Sequence, residues 1–487
     1  MTEAAAQRQD SASARSPAER LRAYLAALPE SARRLLSTEI ERARQRGEAI
    51  PGGDMIIAAL RPAPPPVAPK PPEIVPPPAV RDEVAARFVF RPVEPFLIDE
   101  RLETKVRGRI ARHSLTAIWT WIARDLQPDE ARTLEAACTA AIATGDEARA
   151  TQLAADFAIP LCAAIRAELE EVSVDEAVRK RLFARLGDER ALDDLTDVLV
   201  VLGNAPAIAA VIAKAPTTIR NLADDGLANA RAMLDPMANT RTDLLAFALV
   251  LFQGRLVQKA HLARLAVSAA ESDEPAKIAV NPYRYAVDLV VGEIERSALR
   301  VSRALKEGRG EKVAAALKDL HDAVRSLRTD MSLAGDGPWQ RRLAKLRADL
   351  ARLLTAEIEG VPGEMRRLLR PRQRGDQPAE AISEDVVADV ETRLDLLSAC
   401  RSYASEIALN EITLRIFTEI QGYLDPTLTQ LLENIRNAPD VDRALKISQI
   451  EAAVRFSARI FGASYAQLLQ KAADVAINAG KAPGRQG

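Results

Sequence analysis

Between residues 282 and 359 the apolar positions recur at alternating spacings of four and three. Val287, Val291, Ile294, Ala298, Val301 and Leu305 form one run; Val313, Leu317, Leu320, Val324, Leu327 and Met331 form a second; Trp339, Leu343, Leu346, Leu350 and Leu353 form a third. This spacing lays one apolar seam along each helix, at ~3.5 residues per repeat. EGRG at 307–310 and AGDGP at 334–338 interrupt the seams. Connections this short force neighbouring helices antiparallel. The pattern predicts an antiparallel three-helix, coiled-coil-like hairpin at 282–359, with Leu320 and Leu346 buried on adjacent helices. The glycine-bearing breaks favour this hairpin over an intermolecular coiled coil, which needs unbroken helix.

From residue 101 onward nearly all of the chain carries a helical period, with segments predicted over 114–126, 129–143, 146–170, 174–186, 189–202, 206–214, 217–233, 240–253 and 255–270 before the seams begin. Ser173 and Glu176 have the spacing of a capping box. More helices are expected between 383 and 478. The fold class is all-α, a multi-helix bundle or irregular α-solenoid, because no fixed repeat period emerges. FVFRPVEPFLID (88–99) is the exception: its three phenylalanines are apolar, while Pro92 and Pro95 exclude a central strand. It reads as an extended strap lying across the domain that follows.

Ahead of this body, residues 1–16 are small and polar, and 17–60 hold three short amphipathic segments. Ten of the 29 prolines fall within 61–80, which predicts a polyproline II linker with PxxP spacings. The expected organisation is a tail (1–16), a small helical unit (17–60), the linker (61–80), a helical domain (81–275), an antiparallel bundle (276–370), a polar linker (371–382), a C-terminal helical region (383–478) and a tail (479–487).

Composition narrows the function classes. Hydrophobic residues make up 48% of the 487, enough for sizeable cores. Aromatics at 4% and 22 glycines argue against a β-rich fold. Lys plus Arg (67) nearly cancels Asp plus Glu (68), so the whole chain is not a polyanion binder. Only 13 of the basic residues are lysine, as a GC-rich bacterial genome would produce. Three cysteines and a polar opening, MTEAAAQRQD, point to the cytoplasm. The longest aliphatic runs, 207–213 and 244–252, fall short of the ~20 residues of a spanning helix.

Chemistry is sparse. Asp193-Asp194-Leu-Thr-Asp197 matches DDxxD, a motif that resembles the Mg²⁺-binding helix of all-α prenyl-diphosphate enzymes. Asp193 and Asp197 are one turn apart, but no second metal motif follows, and 129–197 holds 16 acidic against 8 basic residues. The expected reading is therefore a solvated acidic helix face. His321-Asp322 resembles the HD pair of helical phosphohydrolases, yet only His113 and His261 remain as further histidines. No CxxC, GxGxxG, P-loop or G-x-S-x-G motif occurs. No catalytic residue, metal or cofactor is expected.

Two basic clusters remain. Arg101, Lys105, Arg107, Arg109 and Arg112 surround Glu103, and residues 338–374 hold ten basic against four acidic groups. Arg366, Arg367, Arg370, Arg372 and Arg374 are the densest part and the candidate contacts for an anion or partner. Such clusters meet phosphates or anionic headgroups, or pair with the acidic 129–197 segment. The second cluster has no interleaved aromatic, which weakens the case for single-stranded nucleic acid. The expectation is a non-catalytic cytoplasmic helical scaffold or adaptor whose partners are proteins, a second copy of this chain among them, with no transmembrane segment. The alternatives are an all-α Mg²⁺ enzyme acting on a diphosphate through Asp193 and Asp197, or a nucleic-acid or anionic-membrane binder using the 366–374 arginines.

Overall fold

A computed structural model describes residues 84–308, 310–370, 380–436 and 440–479. The tail, small helical unit and proline-rich linker read at 1–80 lie outside these residues, as do Arg372 and Arg374. The described residues belong to one unit spanning Asp82–Gly487. They contain eighteen α-helices and a single two-stranded parallel sheet. The fold is all-α.

The N-terminal part is built on α1 (Val84–Val89), α2 (Arg112–Trp121), α3 (Pro128–Ala143), α4 (Glu147–Val174), α5 (Glu176–Leu186) and α6 (Glu189–Val211). The helical ends follow from local chemistry. Asp146, Asp175 and Asp188 each accept a hydrogen bond from a backbone N–H in the turn that follows, capping α4, α5 and α6. Asp175 thus displaces the Ser173–Glu176 capping box: Ser173 lies in the last turn of α4 and its hydroxyl donates to the Glu170 carbonyl. The segment 88–99 is not an extended strap. Pro92 and Pro95 wind it into a 3₁₀ turn over Arg91–Phe96, and only Leu97–Ile98 (β1) is extended, paired with Ile110–Ala111 (β2). Proline fixes φ near the helical value, so at the first positions of a turn it favours winding over extension. Phe96 packs edge-on against Phe247 and holds this strap on the body.

α7 (Asp224–Thr240), α8 (Thr242–Gln253), α9 (Ala263–Ala270) and α10 (Pro275–Ala279) follow. Leu244 to Val250 in α8 are all buried, so the aliphatic run at 244–252 is a core helix. Among the described residues, α6 alone is long and apolar enough to cross a membrane by length and composition. It places Ala191, Leu195, Val198, Val201 and Ile208 in the protein core.

The three seams become α11 (Arg284–Lys306), α12 (Gly310–Asp330) and α13 (Pro338–Glu359). Every seam residue from Val313 on α12 to Met331, just past its end, is buried. The core, however, has a fourth member. α12 and α13 do not form the main contact with each other; α11 packs on both, and both pack on α15 (Glu384–Ile407). The four helices make a bundle whose first three members are consecutive. Gly310 permits the close approach of α12 to α15, since a Cβ there would lie 2.7 Å from Thr392 Cγ2. On α13 the buried line runs Trp339, Leu343, Leu350, Leu354, Ile358, while Leu346 and Leu353 are half-buried. A straight helix of 3.6 residues per turn drifts ~20° per heptad from a 3.5 repeat, so the seam moves off Leu346 and Leu353. α14 (Val361–Leu369), α16 (Asn410–Arg436), α17 (Asp440–Ile460) and α18 (Ala463–Ala479) pack as a second helical layer that also uses α15.

Candidate functional site

The DDxxD motif divides between surface and interior. Asp193 is exposed, but Asp194 is 0% and Asp197 4% exposed. Residues three apart on a helix share a face, and here that face meets the loop joining β1 to β2. Lys105 of that loop places its ammonium on both carboxylates: it pairs with Asp194 Oδ1, lies 2.9 Å from Asp197 Oδ2, and donates to the Arg109 carbonyl at 2.8 Å. Its three donors are all used. The second oxygen of Asp194 accepts from the Ala111 N–H at 3.0 Å and the Ser114 hydroxyl at 2.8 Å, and Asp197 accepts from the Gly108 N–H at 3.0 Å. The solvated acidic face expected from sequence is therefore corrected. Two of the three carboxylates are the anchor that fixes the 102–111 loop to α6. Burial raises the Asp197 carboxyl above its ordinary range, against the pull of Lys105 and the Gly108 N–H. One ammonium facing two carboxylates leaves the cluster short of positive charge, which fits that direction.

Gly108 sits at the tip of this loop with φ +82°, where a Cβ would lie 3.1 Å from Val250 Cγ2 and 3.2 Å from the Ala246 carbonyl oxygen. Gly187 also has positive φ (+73°), yet nothing lies within reach of an added Cβ. Gly108→Ala should lower the unfolding free energy by about 2–3 kcal/mol, and Gly187→Ala by about 1 kcal/mol, since only the first combines backbone strain with a steric clash. Urea denaturation of both variants checks the difference; equal losses would mean that the loop does not press on α8.

A second charged network closes the other side of the loop. Glu100 and Glu293 are buried. Arg296 bridges them, with 2.7 Å to Glu100 Oε2 and 2.8 Å to Glu293 Oε2. Arg300 adds contacts to both, and Lys259 lies 3.5 Å from Glu293. Burial alone would raise Glu293, but Arg296, Lys259, Arg300 and Arg109 together hold it below the usual carboxylate range. Burial pulls Arg109 down to about 10, and it donates to Gln253 Oε1 at 2.6 Å. The sequence signal for this network was faint: Glu293 and Arg296 merely flank Ile294 in the first seam.

The first basic cluster is accounted for internally. Arg101 binds Asp188, Lys105 binds Asp194 and Asp197, Arg107 donates to the Asp243 carbonyl, and Arg112 binds Asp99. Three of these acidic partners lie in the acidic 129–197 segment. His321 and Asp322 diverge: His321 packs against the Tyr403 ring and Asp322 takes Lys318. Among the described residues no group of three or more His, Cys, Asp and Glu side chains is placed to hold a metal ion.

The second basic cluster is different. Arg366, Arg367 and Arg370 are exposed at the C-terminal end of α14. Arg366 pairs with Glu419 of α16 at 2.6 Å and lies over the Tyr423 ring, 5.6 Å from its centroid. Arg366 and Arg370 line a groove of about 310 Å³ with Leu369, Tyr423, Thr427, Gln430, Leu431 and Asn434. The aromatic missing from the sequence around the arginines is thus supplied by α16, 53 positions further on from Arg370. Two other clefts exist. One of about 420 Å³ lies where Arg101–Thr104 meets α11 and α13, and one of about 570 Å³ lies between Lys259, Arg300 and Lys318; both carry three acidic residues in their walls.

Comparison with protein-family models, with curated proteins and with solved structures finds no match.

Proposed function

We propose that this chain is a non-catalytic helical scaffold that binds protein partners through exposed helix faces. The observation that carries the reading is on α18. Leu468 (67% exposed) and Val475 (65% exposed) stand two turns apart, with Ala472 between them, on an outward face of a helix whose opposite side buries Ala466, Ala473 and Ala476. An apolar ridge at i, i+4, i+7 is what a partner helix or groove recognises. The fate of the DDxxD carboxylates supports the same reading against the diphosphate-enzyme alternative. Asp194 and Asp197 are held by Lys105, by the Ser114 hydroxyl and by the backbone N–H groups of Gly108 and Ala111, so they do not face a substrate cleft. A reducing compartment such as the cytoplasm suits Cys138, Cys162 and Cys400, which are unpaired and buried, with burial pushing the Cys400 thiol up to about 12.

The test is Leu468→Asp with Val475→Asp in the full chain. Both positions are exposed, so stability should change by about 0.5 kcal/mol or less. A partner recovered reproducibly by crosslinking in the native host should be lost from the double variant while its melting curve is retained. Retention of every partner would remove the α18 face from the proposal. A melting temperature that rises with millimolar Mg²⁺ would favour the enzyme alternative.

A further inference from the structure

The groove between α14 and α16 has a composition unlike the other two clefts. Its walls contain two arginines, one tyrosine, three neutral hydrogen-bonding side chains and no carboxylate. The larger clefts set Glu103, Glu295 and Asp349, or Glu293, Asp319 and Asp322, among their cations. In those two the positive charge is matched at the wall. In this one the wall holds no carboxylate, and of its two arginines only Arg366 is matched, by Glu419 outside the wall.

The two arginines are also not equivalent. Arg366 is fixed from two sides, by the Glu419 carboxylate and by the Tyr423 ring beneath it. A guanidinium beside an aromatic ring adds a second planar surface to it, and nucleobases stack on both kinds of plane. Arg370 has no carboxylate partner among the described residues, and only its backbone carbonyl is engaged, accepting from Gln449. Its guanidinium is open to an incoming anion. Arg367, one position from Arg366, is likewise exposed and without a carboxylate partner among the described residues. Along α16, Thr427, Gln430 and Asn434 follow Tyr423 at spacings of four, three and four, so one helix face presents the ring and then a row of hydroxyl and amide groups. Amides offer both donors and acceptors to a base edge.

From these observations we infer that the α14–α16 groove binds single-stranded nucleic acid, with a base stacked on the Arg366–Tyr423 pair, the adjoining phosphate on Arg370, and Gln430 and Asn434 at the base edge. The groove volume, about 310 Å³, lies at the small end of the range for small-ligand sites, ~300–1,000 Å³. It suits one or two nucleotides of a strand. Stacking is tolerant of sequence, so the site should bind strands with modest base preference. The inference is independent of the scaffold reading, which concerns α18.

The test is fluorescence anisotropy with a labelled 20-nucleotide oligouridylate and its oligothymidylate counterpart, using the full chain at salt from about 50 to 200 mM. The expected result is saturable binding that weakens with salt, as phosphate contacts require. Arg370→Ala should weaken binding and lower the slope of log affinity against log salt by about 0.7, the value of one single-strand phosphate contact. Tyr423→Ala should weaken binding by about fivefold or more at every salt concentration and leave that slope unchanged, because stacking releases no counterion. Tyr423→Phe should retain binding. Far-ultraviolet circular dichroism and melting curves identify any variant that fails to fold, and the exposed Arg370→Ala then stands as the deciding variant. No binding at ~100 µM protein overturns the proposal, as does binding that Arg370→Ala and Tyr423→Ala leave untouched. Sedimentation with vesicles of phosphatidylcholine and phosphatidylglycerol, lost in Arg370→Ala while the oligonucleotides stay unbound, would overturn it in favour of a lipid surface.

Discussion

Replacing Lys105 with Met should destabilise the protein by about 3–5 kcal/mol at neutral pH, more than any single surface change. The methionine conserves the aliphatic stem and removes only the charge. It leaves Asp194 and Asp197, at 0% and 4% exposure, facing each other across one turn of α6 with no cation between them. Removing one partner from a buried ion pair costs in this range because the remaining charge can neither be solvated nor neutralised by a neighbour. The three remaining hydrogen bonds to Asp194 and Asp197, from Ala111, Ser114 and Gly108, do not supply a formal charge. Asp197→Asn, which keeps the size and loses the charge, should cost less than Lys105→Met, because it leaves Lys105 matched one-to-one with Asp194. Urea denaturation monitored by circular dichroism gives both values. Equal, small losses would show that the cluster is solvated and that its burial carries no energetic weight.

The same cluster fixes the sign of a pH dependence. The folded-state carboxyl of Asp197 is raised above its ordinary value of 3.8, with burial as the main cause. A group with a raised folded-state pKa favours the fold when protonated. Its contribution is complete below the unfolded value and is lost as pH rises through the folded one. Protonation of Asp197 also relieves the excess negative charge that Lys105→Met creates. The penalty of that substitution should therefore shrink as pH falls from neutrality into the acid range, where protonation of Asp197 removes one of the two buried charges. A penalty that stayed constant between pH 7 and pH 4 would contradict the assignment of the cost to Asp197.

What the sequence discloses and conceals here has physical reasons. Periodicity is a one-dimensional signal, and it located α11, α12 and α13 within a few residues. It could not show that α12 and α13 separate to admit α15, because α15 begins after more than twenty intervening residues and its own pattern names no partner. Composition misled at Asp194 and Asp197. An acidic segment makes a solvated face the default, and nothing local reveals that Lys105, some 90 residues earlier, reaches both carboxylates. Spacing misled at Ser173, where Asp175 captures the turn two residues later. The Arg366–Arg370 cluster was legible as charge, while the ring that gives it a chemical character, Tyr423, arrives from another helix.

The four-helix packing leads to unequal outcomes at two leucines that share the same heptad logic. Leu320 lies on α12, is 2% exposed, and belongs to an unbroken buried line from Val313 to Met331. That line faces both α11 and α15. Truncation there leaves a cavity that neither neighbour can fill without moving, since bundle helices are tied along their length. Leu320→Ala should cost about 2–5 kcal/mol, the range for buried leucines whose surroundings relax only in part. Leu346 occupies the equivalent heptad position on α13, but the drift of that helix turns it half out of the core, and it lines the cleft beside Arg101–Thr104. Solvent already reaches part of its side chain, so its removal opens no closed cavity, and Leu346→Ala should cost less than about 2 kcal/mol. Leu394 of α15 is 0% exposed. Leu394→Ala should therefore fall with Leu320→Ala and not with Leu346→Ala, although it lies outside the 282–359 hairpin. Chemical denaturation of the three variants separates the two architectures. If the consecutive helices alone formed the core, Leu320 and Leu346 would lose stability alike and Leu394 would be nearly silent. With α15 as the fourth member, Leu320 and Leu394 carry the large losses, and the full cooperative transition should shift to lower urea in both.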